Sequence, residues 1–542
     1  INLVRKRPTA DFQGYVSGEA GAWDRYRGEF DVAGPLTDSG AVRGRLVSAY
    51  ETANSFVDWY KTDKRVIYGA LDFDLSDSTL LRVSLDYQNN NSDGVSFGHI
   101  PLFNNNGSAT NFSRSFNPGA RWSYLDNSQY NFTSVLEQKL ANDWSLKASY
   151  SHQYAYRRGV TGSASAGAPD PQTGAGVSMY INRLDSYQTQ DNADLYASGP
   201  FELGGREHEL VVGANIAYTH LNYPTYERDT PAVDNIYQWD GNPGGKPHLS
   251  KTEESLTRLR QTGTYTALRL KPYDPLSIIL GTRVSWWDQK DDSSDELTGA
   301  ATSRDRTRKS GVVTPYAGVV LDLNDTYSVY ASYTNIFQPQ TYYKTASNTS
   351  LEPLQGDNYE LGIKGSHLDG QLNSSLALFK LEQDNLAVWQ AEYPGSNVYK
   401  AEQGTTSKGV EMQLDGQLAE GWQVGTGYAY TVTTDADDQR INTTLPRHSV
   451  KTFSTYRLGG ELDKLTVGGG VNWQSKVGSD LHTFTQGSYA ITNLLARYDI
   501  SKNLSASVNL NNLFDREYFS YAGYYGNYGA PRNLMTSFKY SF

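Results

Sequence analysis

Cysteine is absent from the 542 residues, which excludes a disulfide scaffold, a thiolate metal site and a cysteine nucleophile together. No run of about 18 apolar residues occurs, so no membrane-spanning helix is expected. Basic residues are in deficit: 48 Lys and Arg against 59 Asp and Glu leave a net charge of −11, the wrong sign for meeting nucleic-acid phosphates. Helical spacing is sustained nowhere. The eight His are scattered, with neither H-E-x-x-H nor a close pair for a metal. There is no charged-then-apolar leader and no initiator Met, so a segment ahead of Ile1 is expected to have been removed. Linkers and charge blocks are also missing. The length alone suggests three or four domains, but one texture runs from end to end.

Tyrosine and glycine are abundant instead: 40 Tyr, with 18 Phe and 10 Trp, and 50 Gly. The repeating unit is a strand of about ten residues with strict alternation, as in Leu81-Arg82-Val83-Ser84-Leu85-Asp86-Tyr87-Gln88, 144–151 and 327–334. Period two puts one set of side chains on each face of a sheet. Short turns (76–79, 141–143, 203–206, 324–325, 368–370, 501–502) alternate with long polar stretches at roughly 89–128, 156–187, 221–257, 289–310, 338–356, 383–407 and 513–530. Counting between them gives about 22 strands, an even number suited to a transmembrane antiparallel β-barrel with short periplasmic turns and long extracellular loops. Backbone groups in a bilayer core have no water to bond, so a spanning sheet must close on itself. Because only alternate residues meet lipid, a mean hydropathy of −0.59 is compatible with membrane insertion. The final strand puts Phe538, Tyr540 and Phe542 on one face, and rings of this kind belong at the interfaces. A propeller would need a fixed repeat of about 40–50 residues, and none is found. Strand one begins by about Gln13, which leaves no segment able to plug so wide a bore.

Catalytic chemistry finds little support. Gly244-Gly245-Lys246-Pro247 lacks the first Gly and the Ser/Thr of a phosphate loop. The acidic groups Asp291, Asp292, Asp295, Glu296 and Asp435, Asp437, Asp438 lack the Gly and terminal Glu of a calcium loop. Both read as solvated loops. Neither an enzyme nor a metal site is expected.

Several stretches resemble TonB-dependent outer-membrane receptors, specifically ferric-siderophore receptors. They are the opening Ile1-Asn2-Leu3-Val4-Arg5-Lys6-Arg7-Pro8, like the family's plug-to-barrel junction, and the segment Leu351–Lys364, like E-P-E-x-x-x-x-Y-E-x-G-x-K. Ser407-Lys408-Gly409-Val410-Glu411 and Asn511–Tyr518 with Tyr528–Asn533 complete the set. Segments 332–340 and 465–474 bring the resemblance nearest to the ferripyoverdine and ferric-coprogen receptors. It implies residues 1–8 as the end of a plug, residues 9–542 as a 22-stranded barrel, and a TonB box upstream. It also implies proton-gradient-driven import of a hydroxamate-type ferric siderophore, such as pyoverdine, coprogen, ferrichrome or ferrioxamine. Iron would enter only within that ligand, with no cofactor. Implied partners are the chelate, outer-membrane lipid and lipopolysaccharide, the TonB complex through the plug, and bacteriocins or phage. The barrel would be a multi-pass monomer with no nucleic acid. A receptor for cobalamin or a glycan, or a surface barrel without transport, are the alternatives.

Ligand-binding candidates come from parity and from the resemblance. In the strand 276–287 even positions face lipid, so Trp286 joins the aromatic girdle while Arg283 and Trp287 face the lumen. Phe97 sits where the resembled receptors carry a siderophore-contacting Trp. Leu125 stands where the pyoverdine receptor has a second one, and Trp122-Ser123-Tyr124 is closer to the coprogen receptor. Trp239, Tyr342, Tyr343, Trp389 and the run Tyr521, Tyr524, Tyr525, Tyr528 are further rim aromatics suited to a bulky, semi-apolar chelate. Arg82, Asp86 and Lys147 are expected to point inward in paired networks. Between Gln371 and Glu382 alternation fails and no face can be assigned.

Overall fold

A computed structural model describes residues 4–390, 398–441, 443–478, 484–522 and 525–542; the start of the junction motif, Ile1 to Leu3, and Tyr524 lie outside them. Its main sheet holds 22 long antiparallel strands. They are β1 Gln13–Gly21, β2 Arg25–Pro35, β3 Val42–Asn54, β4 Lys61–Ser76, β5 Thr79–Asp93, β6 Tyr124–Lys139, β7 Ser145–Gly167, β8 Val177–Leu203, β9 Arg206–Asn222, β10 Lys251–Tyr273 and β11 Leu276–Asp295. The rest are β12 Ala301–Asp322, β13 Tyr327–Lys344, β14 Ser350–His367, β15 Leu372–Asp384, β16 Thr405–Ala419, β17 Trp422–Thr434, β18 His448–Arg457, β19 Leu465–Gln474, β20 Tyr489–Asp499, β21 Leu504–Asn511 and β22 Asn533–Ser541. Each pairs with its neighbour in sequence, and β1 pairs with β22 from Tyr15↔Ser541 to Gly21↔Met535. Gly14 and Phe542 exchange two backbone hydrogen bonds of 2.8 and 2.9 Å at the seam. No edge remains for water or lipid to attack, which is the condition a bilayer imposes. Among the described residues no helix is long and apolar enough to cross a membrane.

Alternation decides what each face does. Leu46, Ile67, Leu85, Leu195, Val212, Leu280, Leu361 and Phe538 stand exposed on the outer wall, as an apolar band facing lipid should. Tyr87, Tyr130 and Tyr154 stack across β5, β6 and β7 with ring centroids 4.8 and 6.4 Å apart. Trp286 is 39% exposed and Trp287 8%, so adjacent indoles lie on opposite faces as parity requires. The unassigned stretch resolves too: Leu376 and Leu378 are exposed outside, while Ala377, Phe379 and Leu381 take the inner positions. Apolar residues on both faces had erased the period.

The inner wall is polar and paired. Arg82 donates to both Asp72 carboxylate oxygens at 2.7 Å, with both side chains buried. Asn131 donates to Asp86 at 2.6 Å, and Lys147 lies 3.3 Å from Glu137. The segment before β1 runs along this wall. Lys6 and Arg45 both reach the buried Asp31 at 2.7 Å, and Tyr68 donates to the Lys6 carbonyl at 2.7 Å.

Strand length departs from the expected ten residues. β7 and β8 have 23 and 27 residues, so most of 156–187 is strand rather than loop, as are most of 289–310 and 338–356. Beyond the bilayer neither face meets lipid, so alternation of apolar with polar residues fades although the hydrogen-bond ladder continues. The turns are as short as expected; Asn142 and Asp143 join β6 to β7 at φ of 57° and 58°, the geometry of a tight hairpin turn.

Candidate functional site

The candidate site is the loop-bearing mouth, where the sequence candidates gather. At about 4.8 Å between strands, with the usual tilt, a 22-stranded ring is roughly 40 Å across. The tall β7–β8 hairpin gives one side of the mouth a core. Its Ala164, Val177, Met179 and Ile181 gather Ile100, Phe112 and Ala120 from the 94–123 loop, and Tyr226, Val233, Ile236 and Leu249 from the segment between β9 and β10. Trp122 and Trp239 pack on this core, and the Trp239 indole N–H donates to the Asn117 carbonyl at 3.0 Å. The Trp122 indole nitrogen is buried without a hydrogen-bond partner. Lys246, from the motif that superficially suggested a phosphate loop, lies 5.2 Å from the ring centre of Tyr124. These three aromatics therefore hold loops together.

Phe97 is different. Ser163 Oγ accepts from the backbone N–H of Phe97 at 2.9 Å and of Gly98 at 3.1 Å. This fixes the Phe97 ring in a stack with Tyr180, centroids 6.2 Å apart and planes within 18°, and leaves it 46% exposed. Tyr180 was not among the sequence candidates. Its even parity with Asp194 on β8 was the available signal, hidden because this stretch read as loop.

The last loop closes onto the first long one. Ile100–Pro101, Phe519–Ala522 and Tyr525–Tyr528 form a small sheet in which Tyr525 faces Pro101 across the ladder. Tyr528 donates to the Phe112 carbonyl at 3.0 Å, and His99 packs 4.9 Å from Tyr521. Arg114 holds both oxygens of Asp515 at 2.9 Å, and the Arg532 N–H adds a third bond at 2.9 Å. The Arg114 guanidinium first, then that N–H, hold the Asp515 carboxyl well below the usual carboxylate range. A depressed carboxyl contributes fully above its unfolded value and loses that contribution as pH falls through the folded one. Hydrogen exchange should thus show the 94–123 and 512–532 segments equally protected at pH 7 and 4.5, and loosened only in stronger acid. Asp515→Asn should abolish the difference; loosening of the wild type already near pH 5 would contradict the clamp.

Further round the mouth stands a second aromatic group. Tyr343 meets Tyr342 at 5.6 Å and 80°, and Tyr399 at 4.7 Å and 61°. Trp389 faces Tyr399 in the hairpin Leu386–Trp389/Tyr399–Glu402. Tyr342 is 72% exposed. The fold thus brings three sequence candidates together and adds Tyr399, whose register with Trp389 no sequence pattern revealed. The two groups sit some eight strands apart on the ring of 22, a little over a third of the way round.

Arg283 and Trp287 lie lower, on the inner wall. Arg283 donates to Asn215 at 2.9 Å and Ser285 at 3.0 Å and crosses Gly263, where a Cβ would collide with it. Tyr265 donates to Asp194 at 3.0 Å alongside. Arg283 thus belongs to a wall network rather than to the aromatic rim. The acidic loops are likewise occupied: Asp292 pairs with Arg258 at 2.8 Å, Glu296 with Lys251 at 3.0 Å, and Asp435 caps the N–H groups of Asp437 and Gln439. Among the described residues no three His, Asp or Glu are grouped to hold a metal.

Residues 67–513 match the family described as TonB dependent receptor-like, beta-barrel. The chain belongs to that family. The ferric-pyoverdine BN7/BN8 receptor of Pseudomonas putida is 51% identical over the whole chain, which spans 67% of that receptor. The crystal structure of the ferripyoverdine receptor of the outer membrane of Pseudomonas aeruginosa bound to ferripyoverdine matches with a TM-score of 0.91 and 39% identity, covering 100% of this chain and 73% of that one. The FpvAI–pyocin S2 complex matches at 0.90 and 38%, covering 100% and 74%. This TonB-dependent receptor barrel is therefore an outer-membrane protein of a family of receptors rather than enzymes. Iron is cargo there and not a resident cofactor.

Proposed function

We propose that the chain is the barrel of a ferric-siderophore receptor whose ligand is a ferric pyoverdine, imported with TonB-supplied energy. The 51% identity over its full length to a ferric-pyoverdine receptor carries this reading, and the two aromatic groups at the mouth support it. A chelate that already fills the metal's coordination sphere needs flat, stiff surfaces rather than metal ligands. Nanomolar binding corresponds to about 12 kcal/mol, and aromatic contacts give about 0.5–1.5 kcal/mol each beyond area burial, so both groups and a plug are needed together. Phe97 with Tyr180, Tyr342, Tyr343, Trp389 and Tyr399, and Tyr525 in the last loop, form the barrel's share of the site. Phe97 keeps a ring where the resembled receptors have an indole, and Leu125 offers none, so the peptide part of the chelate differs from theirs.

Val4 to Pro8 join this barrel to a plug, and TonB acts through that plug. Lipid and lipopolysaccharide surround a monomeric barrel, and the likeness to a pyocin complex makes a bacteriocin a second ligand of the same mouth. The test is a titration of the full-length receptor, followed by tryptophan fluorescence. Ferric pyoverdine should quench at nanomolar concentration while cobalamin and oligosaccharides leave the signal flat. Quenching by cobalamin or a glycan alone would replace this reading, and iron-limited growth indifferent to the receptor would remove transport.

A further inference from the structure

The second aromatic group stands where the barrel wall comes unzipped. The ladder between β12 and β13 ends at Tyr316↔Thr334. Above that level β12 continues to Ala301 against β11, and β13 to Lys344 against β14. The sequence accounts for the opening. Pro315 stands at the first position past the last pair and Pro339 lies on β13, and neither has an N–H to give a ladder. The pairing of β13 with β14 is irregular as well, with register shifts on both sides of Gln340. Thr341, Tyr342 and Tyr343 therefore have no ladder partner among the described residues, and Lys344 adds one bridge to Val398. Side chains span the opening instead: Lys344 to Asp305 at 2.7 Å, Lys309 to Glu352 at 2.6 Å and Thr341 to Gln289 at 3.2 Å. The two ion pairs are partly exposed, where such pairs hold weakly.

Gln340 supplies what the ladder does not. Of residues 335–344 it alone is buried, at 6% exposure. Its Nε2 donates to the Glu352 carbonyl at 2.8 Å and to the Asn385 carbonyl at 2.6 Å. Both neighbours are acceptors, so the amide nitrogen has to face them, and both its hydrogens are engaged. Glu352 lies on β14. Asn385, at φ 64°, is the bend between β15 and the hairpin Leu386–Trp389/Tyr399–Glu402. The Asn385 side chain donates to the Pro353 carbonyl at 2.9 Å and accepts from Gln403 at 2.6 Å. One buried amide thus joins the strand that carries Tyr342 and Tyr343 to the hairpin that carries Trp389 and Tyr399. Enclosed in this way, it presents nothing to a ligand. We propose that Gln340 is the positioning residue of the second aromatic group, setting Tyr342 and Tyr343 against Trp389 and Tyr399 and so the fit of the chelate on them. The binding part of its test rests on the ferric-pyoverdine reading; the part made on the unliganded receptor does not.

The experiment compares Gln340→Leu with wild type in the full-length receptor, titrated with ferric pyoverdine. Losing two hydrogen bonds of ordinary net strength should weaken binding about tenfold. In the background Tyr342→Ala/Tyr343→Ala/Trp389→Ala the same change should add nothing, because residues that act through one another are not additive. A further tenfold loss in that background overturns the proposal, as does wild-type affinity in Gln340→Leu alone. Hydrogen exchange of the unliganded receptor is the second readout. Exchange in 341–344 and 386–389 should quicken in Gln340→Leu, while 94–123 stays as in wild type. Unchanged exchange in both segments, or equal quickening in 94–123, overturns the positioning. Wild type that fails to bind ferric pyoverdine while the exchange difference is present supports the positioning and overturns only the ligand reading. Should Gln340→Leu fail to give a barrel that migrates faster unboiled than boiled, Gln340→Asn takes its place in the same measurements. Its shorter amide reaches one carbonyl at most, and about a threefold loss is expected.

Discussion

Arg82→Ala should lower the stability of the barrel by about 3–5 kcal/mol, the cost of leaving a buried charge without its partner. The Asp72 carboxylate now receives two bonds of 2.7 Å from that guanidinium, and both side chains are buried. Removing the cation leaves the carboxylate neither solvated nor paired. Removing both charges is a different matter, since a neutral pair of similar size avoids the desolvation penalty. Asp72→Asn/Arg82→Gln should recover most of the loss. The urea midpoint at which the unboiled band disappears from a gel measures both, and a single variant as resistant as wild type would show that water already screens the pair.

Tyr342→Ala/Tyr343→Ala/Trp389→Ala should weaken binding of ferric pyoverdine about a hundredfold, from roughly 1 kcal/mol per ring. The three sit in one group with Tyr399, so their effects will not be additive when taken singly. Trp239→Ala should behave otherwise. It empties part of the loop core and frees the Asn117 carbonyl, so its effect should appear first as faster hydrogen exchange in 94–123. Affinity in the triple variant equal to wild type would move the site away from this side of the mouth.

How far the sequence could be read varies along the chain. Strict alternation in Leu81–Gln88 placed Arg82 inward and Leu85 outward, and the coordinates agree because a two-residue period admits only one assignment once one face is apolar. The same logic separated Trp286 from Trp287. It failed between Gln371 and Glu382, where Phe379 and Leu381 face inward, and it misread 156–187 as loop because strands above the bilayer have no lipid face to mark. Rim aromatics were legible as a class, but not how each one packs. Trp122 and Trp239 have the composition of ligand contacts and the packing of a core, whereas Tyr180 and Tyr399 matter only through the rings beside them.

Pattern along the chain was sufficient for the closed barrel, its strand number and the faces of most strands, since bilayer physics forces every strand into one repeating solution, while the family was legible only through the resemblance of short motifs. Which rings stand exposed at the mouth and which pack between the loops depended on register between strands and on loops folding back. Those are contacts between residues tens or hundreds of positions apart, and no local period encodes them.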